Sequence, residues 1–181
     1  LTVINTFLNE EYFPERKLQT FHTTQIIDYL TKTNLYYLRY QLPNIERHLT
    51  SFISMSTPGN NTLNLIGKFF SSFKEELTAR IEHDDKEWFP YCLELSEKIK
   101  GCCNSDEKEA LHLGDEQRSE DAIEALLSDL KGIMIKHLSG DYNENLCYAV
   151  IFGISSLEKD IKQHNRIRYR ILTPMVSAME K

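Results

Sequence analysis

The sequence has little glycine or proline, no long apolar run and no excess of basic residues. Its 181 residues include 7 glycines and 5 prolines, which favours helices over a sheet protein rich in turns. No apolar stretch approaches the length of a membrane span, and the N-terminus lacks a signal-peptide pattern. The 21 basic and 27 acidic residues give a net charge of −6, so this chain alone offers no basic face to nucleic acid. We expect a cytoplasmic helical protein that binds neither membrane nor nucleic acid directly.

Recognisable catalytic and metal-binding motifs are also missing. The cysteines, Cys92, Cys102, Cys103 and Cys147, have neither zinc-type spacing nor an obvious disulfide framework. We expect four free thiols in a reducing compartment. There is no interpretable Ser/His/Asp arrangement, glycine-rich phosphate loop or Cys-x-x-Cys motif. The sequence therefore predicts a protein that is not an enzyme and has no catalytic residues. Because it opens at Leu1, we expect it to be a fragment or a processed product.

Apolar residues recur at helical spacing along most of the chain. The pattern predicts a short helix over residues 1–11 and a polar connection to residue 22. Four long helices follow: one capped at Thr23 or Thr24 and kinked or broken at Pro43, one ending near Gly101, one capped at Ser119, and one from Asn143. The length suits one buried core. We therefore predict an all-α, up-and-down four-helix bundle over residues 23–181, preceded by an N-terminal helix and connection at 1–22. The oligomeric state stays open.

Each predicted apolar stripe is interrupted by polar side chains that point towards the core. They are Asn34 on the first long helix, Arg80 and Asp84 on the second, Glu120 on the third, and His164 and Arg168 on the fourth. Buried charges are costly unless they are paired. Polar groups at one depth on facing helices form the sites that bundles build in their cores. The alternative is that these side chains lie at stripe edges and reach solvent.

Five segments of the chain carry a resemblance to a known family. They are "LTVINTFLNEEYF", "IIDYLTKTNLYYLRYQLPNIERHL", "HDDKEWFPY", "LLSDLKGIMIKHL" and "SLEKDIKQHNRIRYRILTPMV". With them, nearly the whole chain resembles a hemerythrin-like domain of the iron–sulfur-cluster repair (RIC) type, as found in regulatory proteins of Bacteroidetes. The resemblance implies a bundle whose helices supply histidines and carboxylates to two iron atoms.

At the implied iron-ligand positions, this chain departs from the family pattern. Asn34 stands where the family has histidine, and Glu120 falls near the position of the third helix's histidine. Two His-x-x-x-Glu motifs are replaced, by Arg80 with Asp84 and by His164 with Arg168. If a metal is bound at all, Asp84 and His164 are its candidate ligands. Too few ligands remain for two irons, so we expect no cofactor. We expect Arg80 and Arg168 to fill the space of the irons and pair with Asp84 and Glu120.

Two functions follow from this resemblance. The first is a metal-free regulatory or interaction domain, the sensory part of a transcription regulator whose DNA-binding segment is not in this chain. It implies a protein partner or an attached DNA-binding domain. The alternative is a working non-haem diiron protein in nitric oxide stress or iron–sulfur-cluster repair. An iron site built from the remaining histidines also stays open; these are His22, His48, His83, His112 and His137.

Overall fold

The computed structural model describes residues 12–19, 21–56, 61–100, 116–138 and 141–180, without the side chains of 99–100 and 116–121. All regular structure in these ranges is helical, with no strand, so the all-α prediction is confirmed for the part described. The helix predicted at 1–11 lies outside it, as do Cys102 and Cys103. Cys92 and Cys147 are both buried. No helix in the described ranges is both long enough and apolar enough to span a membrane.

A one-turn helix, α1 (Glu15–Leu18), precedes four long helical stretches. The first consists of α2 (Thr23–Tyr36), the π-helical segment π1 (Tyr37–Gln41) and α3 (Leu42–Ser54). The second consists of α4 (Asn61–His83), π2 (Asp84–Trp88) and α5 (Phe89–Lys100). The third is α6 alone (Glu116–Lys136). The fourth consists of α7 (Glu144–Ile167), π3 (Arg168–Leu172) and α8 (Thr173–Met179).

Each π-helical segment ends two residues before a proline, namely Pro43, Pro90 or Pro174. A proline inside a helix gives no N–H to the carbonyl four residues earlier, and its ring crowds that carbonyl. In all three cases this carbonyl belongs to the π segment, where the wider turn relieves the crowding. The backbone stays helical throughout, with φ −70° and ψ −53° at Gln41. The break or kink predicted at Pro43 is therefore corrected to a π turn within a continuous helix.

The start of α2 differs from its prediction. The N-cap is His22, and Thr23 is already the first helical residue, so the predicted threonine cap is wrong. The His22 backbone N–H donates to Oε1 of Gln25 at 3.2 Å. This is the glutamine half of a capping box, in which the N3 side chain reaches back to the N-cap.

The starts of the third and fourth long helices can be compared with their predictions in the same way. Helix α6 begins at Glu116, so the predicted cap at Ser119 lies inside the helix. Helix α7 begins at Glu144, next to its predicted start at Asn143. Asn143 is the N-cap, and its side-chain oxygen accepts a hydrogen bond from the backbone N–H of Leu146 at 3.1 Å. A short polar side chain at the N-cap satisfies one of the donors that a helix start leaves open.

Helices α3, α4, α6 and α7 pack in a ring, in which α3 and α6 each contact both α4 and α7. Their apolar faces form the larger core cluster, which contains Phe73, Leu130 and Ile161. A second cluster, which includes Trp88 and Ile171, is formed by residues of α1, α2, π2, α5, π3 and α8 and by the end of α7. The first, second and fourth long helices all contribute to both clusters. The polar residues described below lie where these helices pass from one cluster to the other.

Candidate functional site

A set of buried polar side chains lies between the two apolar clusters. Its members are Asn34, Arg80, Asp84, His164, Asn165 and Arg168. We call this set the polar layer. It contains five of the six positions predicted from the sequence, and Asn165 in addition. The sixth, Glu120, belongs to α6, and its side chain lies outside the described residues.

The π segments and the polar layer coincide along the chain. Asp84 is the first residue of π2 and Arg168 the first of π3, while Asn34 lies one turn before π1. Arg80 and His164 each lie one turn before these first residues, on the same face of the helix. The prolines that induce the π turns therefore also place helical irregularities beside the buried polar groups. Irregularities of this type are frequent at functional sites.

Arg168 and Asp84 form a buried ion pair between the fourth and second long helices. Nη1 of Arg168 donates to Oδ2 of Asp84. The two side chains are 1% and 0% exposed, so neither charge is compensated by water. We expected Asp84 and Glu120 as partners for the two arginines, with Glu120 as the charge to remove together with Arg168. In the structure Asp84 pairs with Arg168.

Among the described residues, the hydrogen-bond partner of Arg80 is an amide rather than a carboxylate, and a pairing with Glu120 lies outside them. Nη1 of Arg80 donates to Oδ1 of Asn165 at 3.1 Å. Nδ2 of Asn165 in turn donates to Oε1 of Glu124 on α6 at 2.9 Å. Asn165 thus links the arginine to a half-buried carboxylate and joins three long helices. Burial, followed by the charge of Arg168, lowers the pKa of Arg80 from its usual value.

His164 is fully enclosed in the layer and is held neutral. Burial, followed by the charges of Arg80 and Arg168, lowers its pKa well below 6.5, while the Asn165 side chain and the Leu30 backbone act in the opposite direction. Neither ring nitrogen has a well-formed hydrogen bond within the described part of the chain. The ring lies 5.9 Å, centroid to centroid, from that of Tyr37. An imidazole beside two guanidinium groups cannot take up a proton easily.

Two further polar groups of this region lack hydrogen-bond partners among the described residues. They are the amide of Asn34, through both its nitrogen and its oxygen, and the hydroxyl of Tyr37. Burial, followed by the nearby Asp160, raises the pKa of Tyr37 well above its usual value. This hydroxyl therefore keeps its proton and can donate it to a hydrogen bond.

The other histidines do not assemble a site in the described part of the chain. His22 and His137 are exposed, and His48 and His83 are half-buried. Nδ1 of His83 lies 3.4 Å from the Glu87 carboxylate, one turn along the same helix. His112 lies outside the described residues. Across the described ranges, no three His, Cys, Asp or Glu side chains are grouped so that they could hold a metal ion.

Sequence reasoning missed two residues of this region. Tyr37 follows Asn34 by three positions and so shares its face, but its aromatic ring made it look like an ordinary core residue. Asn165 directly follows His164 and lies off the predicted stripe. It is nevertheless buried, because α7 is enclosed on most sides near its end, where Gln163 is buried too. A helix surrounded by others loses its amphipathic pattern, so no stripe could have revealed Asn165.

In comparisons with known proteins, no protein-family model, curated protein or solved structure matches this chain. The functional interpretation therefore depends on the geometry and chemistry of the polar layer.

Proposed function

We propose that this chain is an up-and-down four-helix bundle of the hemerythrin-like kind that works without metal, as a non-catalytic regulatory or interaction domain. The observation that carries the proposal is the polar layer itself. Arg80 and Arg168 are buried at one depth with Asp84 and His164, at positions where the resemblance implies iron ligands. The ring formed by α3, α4, α6 and α7 also agrees with an up-and-down bundle.

The side chains of the layer do not suit a pair of iron ions. Arginine has no lone pair to offer a metal, and its positive charge is fixed. Nη1 of Arg168 already donates to Asp84, so a metal would have to displace a cation from its own carboxylate. Asp84 and His164 alone are fewer ligands than one iron ion requires. On these grounds the guanidinium groups replace the metal ions as the positive charges of the core.

A regulatory role is favoured over catalysis by how closed the layer is. His164 and Asp84 are fully buried, and His164 is kept from protonation, so neither is placed to exchange protons with a substrate from solution. A buried layer that joins three helices can instead transmit a small change to the domain surface. We propose that the domain acts in the cytoplasm as the sensory part of a transcription regulator, through a protein partner or an attached DNA-binding segment.

Metal content tests this proposal. The protein is purified, incubated with excess Fe(II) under anaerobic conditions, desalted and assayed for iron. We expect far less than one iron per chain, and no gain in the double variant Arg80→His with Arg168→Glu, because Asn34 and Glu120 also differ from the implied ligands. Two irons per chain in the unaltered protein, lost in Asp84→Asn and in His164→Ala, would establish the diiron alternative.

DNA binding by the chain alone provides a second test. With a net charge of −6, it should not retard duplex DNA at physiological salt, since phosphate contacts need a basic surface. A retarded complex would contradict the assignment of DNA binding to another segment.

A further inference from the structure

Towards the described residues, Arg80 uses only one of the three nitrogens of its guanidinium group. Nη1 donates to Asn165, whereas Nε and Nη2 are buried without a hydrogen-bond partner in the described part of the chain. Nε and Nη2 form one edge of the planar group, and their N–H bonds run nearly parallel. This edge matches two oxygen atoms on one side of a planar anion.

The charges around Arg80 favour an anion at this edge. Arg80 and Arg168 bring two positive charges into the layer, and the carboxylate of Asp84 is already hydrogen-bonded to Arg168. Glu124 is half-buried and reaches the layer through the amide of Asn165. Leaving charged donors buried and unpaired costs more than leaving neutral ones unpaired. One additional negative charge beside Arg80 would balance the two guanidinium groups within the layer.

The surroundings of this edge fit a small ligand. Arg80 is 6% exposed, against 1% for Arg168 and 0% for Asp84, so the layer comes nearest to solvent at Arg80. The Tyr37 hydroxyl and the Asn34 amide nitrogen are unpartnered donors of the same region. Donors of this kind would complete the hydrogen bonding of an oxyanion that is held by the guanidinium edge.

We propose that the Nε–Nη2 edge of Arg80 binds a small, planar, monovalent oxyanion of the formate or nitrate type. The proposal rests on the proposed function, since it assigns a ligand to the metal-free layer. A monovalent anion balances the charge, and a planar one of this size can accept both N–H bonds in a confined space. A tetrahedral dianion would be larger and would reverse the sign of the local charge.

Thermal unfolding of the whole chain in sodium formate tests this proposal, with sodium chloride at equal ionic strength as the reference. At a formate concentration about ten times its dissociation constant, we expect the midpoint to rise by about 3–6 °C above the chloride value, and to keep rising with the logarithm of the formate concentration. The variant Arg80→Lys keeps the charge but lacks the paired N–H groups, and should bind formate at least about tenfold more weakly. The control Arg47→Lys changes an exposed arginine that is hydrogen-bonded to Asn44, and should keep the full response.

A second measurement needs no variant and so does not depend on whether Arg80→Lys folds. The carbon signal of ¹³C-formate should broaden on adding the unaltered protein, and nitrate should reverse the broadening at concentrations where chloride does not. The proposal is wrong if formate and chloride act alike, or if Arg80→Lys responds like the unaltered protein. It is also wrong if the unaltered protein does not respond to formate and the variant Glu120→Gln does, because the Glu120 carboxylate would then be the group bound at the Nε–Nη2 edge. Bound iron would refute the proposed function, whereas loss of the formate response alone would refute only this inference.

Discussion

Removing Arg168 should destabilise this protein more than removing either neighbouring arginine. In Arg168→Ala, the Asp84 carboxylate stays fully buried and loses its cationic partner. Breaking a buried pair in this way typically costs about 3–5 kcal/mol, because the remaining carboxylate stays buried after losing the cation hydrogen-bonded to it. Since a domain is stable by about 5–15 kcal/mol in total, the loss should be visible as a large fall in the urea midpoint, followed by far-ultraviolet circular dichroism.

Two arginines on the same helical stretch provide matched controls. Arg170 is exposed, and its guanidinium carbon lies 5.9 Å from the centre of the Phe13 ring. Arg170→Ala should therefore cost about 1 kcal/mol or less. Arg166 is half-buried and lies closer to the same ring, at 4.3 Å, so Arg166→Ala should fall between the other two, at about 1–2 kcal/mol.

Removing both charges of the pair separates the loss of an ion pair from the loss of a large side chain. Arg168→Leu with Asp84→Leu leaves no buried charge and retains apolar volume, so it should recover much of the stability lost in Arg168→Ala. If Arg168→Ala matches Arg170→Ala within about 0.5 kcal/mol, the buried pair contributes nothing, and the replacement of iron by arginine would have to be abandoned.

Three further substitutions, at His164, Gly132 and Gly153, test other parts of the structure. Because the pKa of His164 is held well below 6.5, the unfolded chain takes up a proton that the folded chain does not. Below pH 6.5, this group should therefore lower the free energy of unfolding by up to about 1.4 kcal/mol per pH unit. His164→Gln should remove that part of the slope, and an unchanged slope would contradict the burial of His164. Gly132→Ala should stabilise by about 0.5–1 kcal/mol, since the new Cβ meets nothing within 4 Å. Gly153→Ala should instead destabilise, by about 1–2 kcal/mol, because its Cβ would lie 2.9 Å from Cγ1 of Ile45. If the unfolding midpoints of both glycine variants rose, the contact between α3 and α7 would accommodate the added methyl group without cost.

The helical class and the members of the larger core could be predicted from the sequence, because both depend on local spacing. Phe73, Leu130 and Ile161 recur on apolar stripes and share one cluster, as the 3.6-residue period requires. The polar positions Arg80 and Arg168 were visible in the same way, as interruptions of otherwise apolar stripes. An interrupted stripe indicates burial whatever the partner is, so these residues could be selected before their contacts were known.

The contacts of those residues could not be predicted, because they depend on how the helices pack. Which carboxylate meets which arginine is set by the relative height and rotation of separate helices, and a stripe carries no information on either. Asp84 therefore pairs with Arg168, whereas Arg80 bonds to Asn165, a residue that no pattern marked. The π turns could be predicted only in part. Their prolines, Pro90 among them, stand in the sequence, but whether a proline breaks a helix or only widens it depends on whether tertiary packing holds both halves of the helix in line.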